Sequence, residues 1–157
     1  MKTKYLMSAV LIAVPMILGQ ANAGEKELKK DQVPKAVIAA FEKAFPNAKE
    51  LEFEEELFEG KTAYEVEYKK DGVEYEFLYS AEGVLLQKEE EIDGKSLPEP
   101  VAQAVKKAHP KGEIKEVERL MKPDGTVTGY EMDIKEDGKK IKLELDATGN
   151  ILKTENE

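Results

Sequence analysis

Four glutamates, Glu65, Glu67, Glu74 and Glu76, come closest to chemistry in this 157-residue chain. They form two pairs, each with one residue between its members, on either side of Asp71-Gly72. Asp-Gly supplies the positive φ angles that a tight hairpin needs, and alternation along the two flanking strands then puts all four carboxylates on one sheet face. Like charges directly opposite one another destabilise a sheet. The cluster is therefore a local cost that a bound cationic group would relieve, either a basic segment of a partner protein or loosely held divalent cations. The plainer reading is that Lys69, Lys70 and cross-strand neighbours neutralise the face, leaving the acids to keep the protein soluble.

Catalysis is poorly provided for. Triads need a base near neutral pH, most often histidine. The one histidine, His109, precedes Pro110 at a place matching Phe45 before Pro46, and a position that accepts Phe is one for packing or capping. Ser80 and Ser96 both fall at turns. Glycosidase-type carboxylate pairs are unspecific in a chain with 33 acids, and a meander pattern predicts no cleft for a hydrolase. Asp133 to Gly138 followed by Glu144 imitates a calcium loop, but Lys135 sits at a ligand position and the stretch alternates like a strand. No enzyme activity, catalytic residue, metal ligand or cofactor is expected.

The elements that would position these acids come in two copies. Val33, Val37, Phe41 and Phe45 recur every four residues, with Pro34 at the start and Pro46 at the stop. Leu97, Val101 and Val105 repeat the stripe between Pro98 and Pro110. After each helix the period switches to two. Residues 49–58 read as a first strand with Leu51, Phe53 and Leu57 inward, matched by residues 113–122. Tyr64, Val66 and Tyr68 alternate with acids and lysine, as do Tyr130, Met132 and Ile134. Asp71-Gly72 and Asp137-Gly138 turn into third strands, and Ala81-x-Gly83 and Ala147-x-Gly149 into fourth strands carrying Leu85 and Ile151. Residues 64–89 and 130–155 align without a gap, about a third of their positions identical. The expected fold is α+β: two tandem repeats, each one helix followed by a four-stranded antiparallel meander with one packed and one solvated face. In the second copy, Glu131 and Asp133 face Lys140, Lys142 and Glu144, a mixed surface, so binding is expected on the first. Phe58, an extra apolar residue on the wet side, is a candidate anchor.

The boundaries follow. Lys2 and Lys4, the apolar run Leu6 to Leu18 and Ala21-Asn22-Ala23 make residues 1–23 a signal peptide, too short for a comfortable membrane span. Residues 24–32 read as a flexible lead, 33–91 as repeat one, 92–96 as a linker within the acidic EEEIDGKS stretch, and 97–157 as repeat two. Without cysteine the chain has no lipid-anchor route, and its stability must come from packing. The mature protein is expected in the periplasm, or secreted from a cell with a single membrane. Loss of two signal lysines and no acids takes the net charge from −9 to −11, which disfavours nucleic acid and anionic membrane and favours basic partners. A long acidic edge strand would discourage open-ended pairing, so a monomer is expected.

The helix starts at 33–40 and 97–104, the Phe-Pro and His-Pro stops, the Tyr-Glu starts, the Asp-Gly hairpins and the Ala-x-Gly turns resemble the PepSY-like family of exported bacterial proteins. That family is similar to the tandem-repeat β-lactamase-inhibitor-protein fold. The resemblance runs from Val33 to Glu155 and implies an extracytoplasmic, non-enzymatic binding role, inhibitor-like by name. The expected function is an exported binding module that uses the polar sheet face, with Glu65, Glu67, Glu74, Glu76 and Phe58 meeting a basic protein or peptide. The alternative is a periplasmic cation-binding or buffering protein acting through the same acids.

Overall fold

The computed structural model describes residues 26–156. The signal peptide and its cleavage site lie outside these residues. Among the described residues, no helix is long and apolar enough to cross a membrane.

Helix α1 (Lys35–Ala44) precedes strands β2 (Glu52–Phe58), β3 (Lys61–Lys70), β4 (Val73–Tyr79) and β5 (Leu85–Glu91). Helix α2 (Glu99–Ala108) precedes β6 (Glu113–Met121), β7 (Val127–Glu136), β8 (Lys139–Asp146) and β9 (Ile151–Asn156). A short β1 (Lys26–Glu27) opens the chain. All nine strands form one antiparallel sheet in chain order, β1 to β9. The two halves are therefore continuous: β5 pairs with β6 through Lys88–Met121, Glu89–Leu120, Glu90–Arg119 and Glu91–Glu118.

Both helices lie on the same side of this sheet. The four-residue stripe makes Val37 and Phe41 the buried face of α1, and Val101 and Val105 that of α2. Each helix stops at the residue before a proline, Phe45 or His109, whose N–H closes a last bond at 2.8 Å to the carbonyl of Phe41 or Val105. Under α1 the core is aromatic: Phe41 and Phe45 pack on Tyr68 and Phe77, with the Phe45 and Phe77 rings 4.6 Å apart. Under α2 it is mainly aliphatic, built from Val117, Met132, Ile134, Ile141, Leu143 and Leu145.

Three expectations need correction. Residues 26–32 are not a loose lead: Lys26 and Glu27 pair with β2, and Leu28 is buried in the α1 core. Leu57, near the end of β2, does not join the core and is 55% exposed. The EEEIDGKS stretch begins inside β5, where its first residue, Glu89, is buried.

The turns show why glycine recurs. Asp71-Gly72 and Asp137-Gly138 have positive φ at both residues, as the sequence predicts for hairpins. Gly83 and Gly149 do more than turn. A Cβ on Gly83 would lie 2.5 Å from the Ala36 carbonyl oxygen, and one on Gly149 2.8 Å from that of Pro100. Each Ala-x-Gly turn thus presses backbone to backbone on the first turn of a helix. Gly125 has the same positive φ and nothing within 4 Å, so it separates the two effects. Gly83→Ala and Gly149→Ala should each lose about 1–3 kcal/mol in chemical denaturation, and Gly125→Ala clearly less. Equal losses at all three sites would mean that the close approach contributes nothing.

Candidate functional site

The sheet face turned away from the helices is not a flat solvated surface. The nine strands curl, and that face becomes a groove of about 810 Å³. Strand alternation delivers its lining. Glu54 and Glu56 come from β2, Glu65 and Glu67 from β3, Glu74 and Glu76 from β4, and Glu89 from β5. The second half adds Glu116 and Glu118 from β6, Glu131 and Asp133 from β7, and Lys140, Lys142 and Glu144 from β8. Ala63, Leu78 and Leu120, opposite Glu56, Glu65 and Glu89 in the ladders, are buried on this side. They lift carboxylates out of bulk water, which is costly for the ionised form.

Register aligns the acids in rows. Glu52, Glu67, Glu76 and Glu89 stand opposite one another across β2 to β5. Glu91, Glu118, Glu131 and Glu144 do the same across β5 to β8, ending on Lys153 in β9. Carboxylate oxygens of Glu65, Glu76 and Glu89 lie within 4.8 Å of one another, and so do those of Glu67, Glu74 and Glu76. All four glutamates singled out in the sequence thus converge. Glu74 differs from the others in facing Lys69, with which it forms a 2.5 Å ion pair. Phe58, at the end of β2, is half-buried on the groove wall, and Leu57 and the 61% exposed Leu152 join it in the lining.

Sequence reasoning missed Glu89 and Glu118. Glu89 is the most enclosed acid of the groove at 7% exposure, and the Gln87 amide donates to it at 3.0 Å. Glu118 is hydrogen-bonded to Glu76 from the other half of the chain. Only the β5–β6 ladder brings these residues together, and nothing in local periodicity reveals it.

The groove is electrostatically lopsided. In the second half, Lys142 pairs with Glu131 at 2.7 Å and Lys140 with Asp133 at 3.0 Å. In the first half burial dominates. Burial, then the charges of Glu74 and Glu52, pushes Glu67 up to about 7. Burial, then the charge of Glu118, pushes Glu89 up to about 8. Glu65 is raised well above the usual carboxylate range by burial and then by Glu89, Glu56 and Glu54. Glu76 and Glu118 are both raised, by burial first, and a hydrogen bond joins the two carboxyls. His109 lies outside the groove, its Nδ1 3.0 Å from Glu136 Oε2.

These shifts set the sign of a pH effect. The raised carboxyls hold protons in the folded chain that the unfolded chain releases above its value of 4.5. Stability therefore falls as pH rises from about 4.5 through about 7 for Glu67 and about 8 for Glu89. Glu136 and Asp146 act oppositely. Their values are lowered by hydrogen bonds from His109 and from Asn150 and Thr148, so their contribution is lost as pH falls below the unfolded range. Thermal melts should peak near about pH 5 and decline toward pH 8. Glu89→Gln should flatten that decline and raise stability at pH 8 by on the order of 1 kcal/mol. A melting temperature that rises from pH 5 to pH 8 would refute the assignment.

Relatives are consistent with this architecture. The beta-lactamase-inhibitor-like, PepSY-like family matches residues 62–153, and the peptidase propeptide and YPEB domain, PepSY, matches residues 34–82. No curated protein matches the sequence. Among solved structures, a BLIP-like protein from Bacteroides fragilis is 24% identical with a TM-score of 0.55, the match covering 79% of this chain and 86% of that one. A protein from Bacteroides eggerthii, described as periplasmic, is 16% identical with a TM-score of 0.63, over 79% of this chain and 88% of that one. A DUF2874 family protein from Bacteroides uniformis is 16% identical with a TM-score of 0.61, over 79% and 89%. At such identities these structures show the fold alone. The family match covers more than half of the sequence, and with the helices, the meander and their shared punctuation it establishes that the chain belongs to the beta-lactamase-inhibitor-like, PepSY-like family.

Proposed function

We propose that this protein is an exported, non-catalytic binding module, inhibitor-like in mode, whose acidic groove takes a cationic segment of a partner protein. The observation that carries the reading is the convergence of Glu65, Glu76 and Glu89 within 4.8 Å in a groove that partly excludes water. Burial and their mutual proximity keep these acids protonated near neutral pH, and a lysine or arginine between them would favour the ionised form by supplying the missing counter-charge. The membership in an inhibitor-like family and the periplasmic description of a structural relative support an extracytoplasmic binding role. In this reading α1–β5 and α2–β9 are two tandem repeats. The first is the electrostatically unsatisfied one, and Phe58 supplies an apolar contact at its wall.

A second reading uses the same acids as ligands for a divalent cation, favoured by the two carboxylate triads. One set of titrations separates the two. The mature chain, residues 24–157, should bind an arginine-rich peptide with an affinity that drops with salt. Because binding a cationic group ionises the raised carboxyls, it should also release protons near neutral pH, read from calorimetry in buffers of different ionisation enthalpy. The triple variant Glu65→Gln, Glu76→Gln, Glu89→Gln should bind at least about tenfold more weakly while folding normally. Calcium or magnesium raising the melting temperature of the native chain alone, with no peptide binding, would favour the cation reading. Binding of neither would remove both.

A further inference from the structure

The sheet has two ends, and they differ. At one, β1 covers β2: Lys26 and Glu27 pair with Glu55 and Glu54, and the Leu28 N–H donates to the Phe53 carbonyl at 2.7 Å. What β1 leaves uncovered is acidic, with Glu52 and Glu56 on the same strand. At the other end β9 pairs only with β8, and among the described residues no strand covers its outer edge. The expectation of a monomer rested on a long acidic edge. The edge that the fold leaves open has one lysine and one glutamate over Ile151–Asn156, so that reason lapses. β9 carries no proline and no row of lysines, and its one irregularity is a bulge at its start, where Leu145 pairs with Ile151 and Glu144 with Lys153. Ile151 and Leu152 at its start are 42% and 61% exposed.

The sequence of β9 is also complementary to itself. In an antiparallel pair of identical strands, opposite residues must be equivalent in the alternation of inward and outward N–H groups, so the two-fold axis passes through a residue. Centred on Lys153, the pair sets lysine against lysine. Centred on Leu152, it sets Lys153 against Ile151 and gives Glu155 no positive neighbour. Centred on Thr154, it sets Lys153 against Glu155 of the second copy twice, and Leu152 against Asn156. Lys153 and Glu155 lie on one face, 3.0 Å apart, so the two copies would form a four-charge square of alternating sign.

We propose that β9 pairs with β9 of a second copy of this chain about a two-fold axis at Thr154, continuing the sheet from one molecule into the next. The pairing is isologous and uses the same edge of both copies, so assembly through β9 closes at two. The axis runs perpendicular to the sheet and keeps both grooves on the same side, with Lys153, which lines the groove, at the seam. A six-residue ladder buries little surface, and the dimer is weak and concentration-dependent. This inference does not depend on what the groove binds.

The test is sedimentation of the mature chain from about 1 µM to about 1 mM, with circular dichroism as the folding control. Native protein should pass from monomer to dimer in this range. Lys153→Glu should weaken association at least about tenfold, since two attractive pairs become repulsive. The double variant Lys153→Glu, Glu155→Lys should regain it, because the swapped strand is again self-complementary. Thr154→Cys, in a chain with no cysteine of its own, should form a disulfide-linked dimer on mild oxidation faster than Leu152→Cys. Monomer at every concentration, a dimer indifferent to Lys153→Glu, or faster linkage through Leu152→Cys would each overturn the proposal.

Discussion

The pairing of β5 with β6 is the constraint on which the molecule depends. Four residue pairs join the two halves of the chain. On the helix side this seam carries the ion pair between Arg119 and Glu90, partly shielded between the two cores. On the groove side it places Glu89 and Glu91 beside Leu120 and Glu118. Without it there would be two small helix-on-meander units, each with an open strand and half an acidic face. With it there is one sheet, one curl and one groove. The site is thus in part a product of joining, since the contact from Glu76 to Glu118 needs strands held in register across the seam and Leu120 stands opposite Glu89 there.

The groove opposes folding, and the two cores offset it. Carboxylates in rows on a half-buried face lose hydration and repel one another, whereas the opposite face packs Phe41, Phe45, Tyr68 and Phe77 under one helix and Leu143, Leu145 and Met132 under the other. The division of labour across a single sheet is sharp. One face supplies stability through apolar burial, and the other stores electrostatic tension in a defined place. Lysines relax that tension at β7 and β8, whereas across β3, β4 and β5 Lys69 answers Glu74 and the acids otherwise outnumber the cations. The asymmetry lies in the side chains alone, on two halves of closely similar backbone plan.

Much of this plan could be read in the sequence, because its signals are local. The four-residue stripe of Val37 and Phe41, the stops before Pro46 and Pro110, the Asp-Gly turns and the strand alternation each specify a few neighbouring residues. The convergence of Glu65, Glu67, Glu74 and Glu76 was legible for the same reason, since one hairpin contains all four. Burial was not. Whether an acid on the far face meets water depends on how the sheet curls and on which strand lies two or three places away, and so Glu89 passed for part of a connection. Leu57 erred in the other direction: it keeps the alternation of Phe53, yet it lies outside the core under α1. The role of Gly83 and Gly149 against the helix starts was hidden too, because a close approach of two backbones leaves the same trace in sequence as an ordinary turn.

The meander order of the sheet bears on how the protein acquires its structure. Every strand pairs with its neighbour in the chain, and apart from β1–β2 and β5–β6 the ladders close over short loops, each of which costs little conformational entropy. β1 must wait for β2 beyond α1, and the β5–β6 seam must wait for the chain to pass through α2. Such low contact order favours rapid formation, with the sheet able to grow strand by strand from a first hairpin. A chain that emerges from a membrane with its amino end first could therefore build its α1 half before its α2 half is available. Among the described strands β9 would be laid down last, and its outer edge is the growing end of the sheet they form.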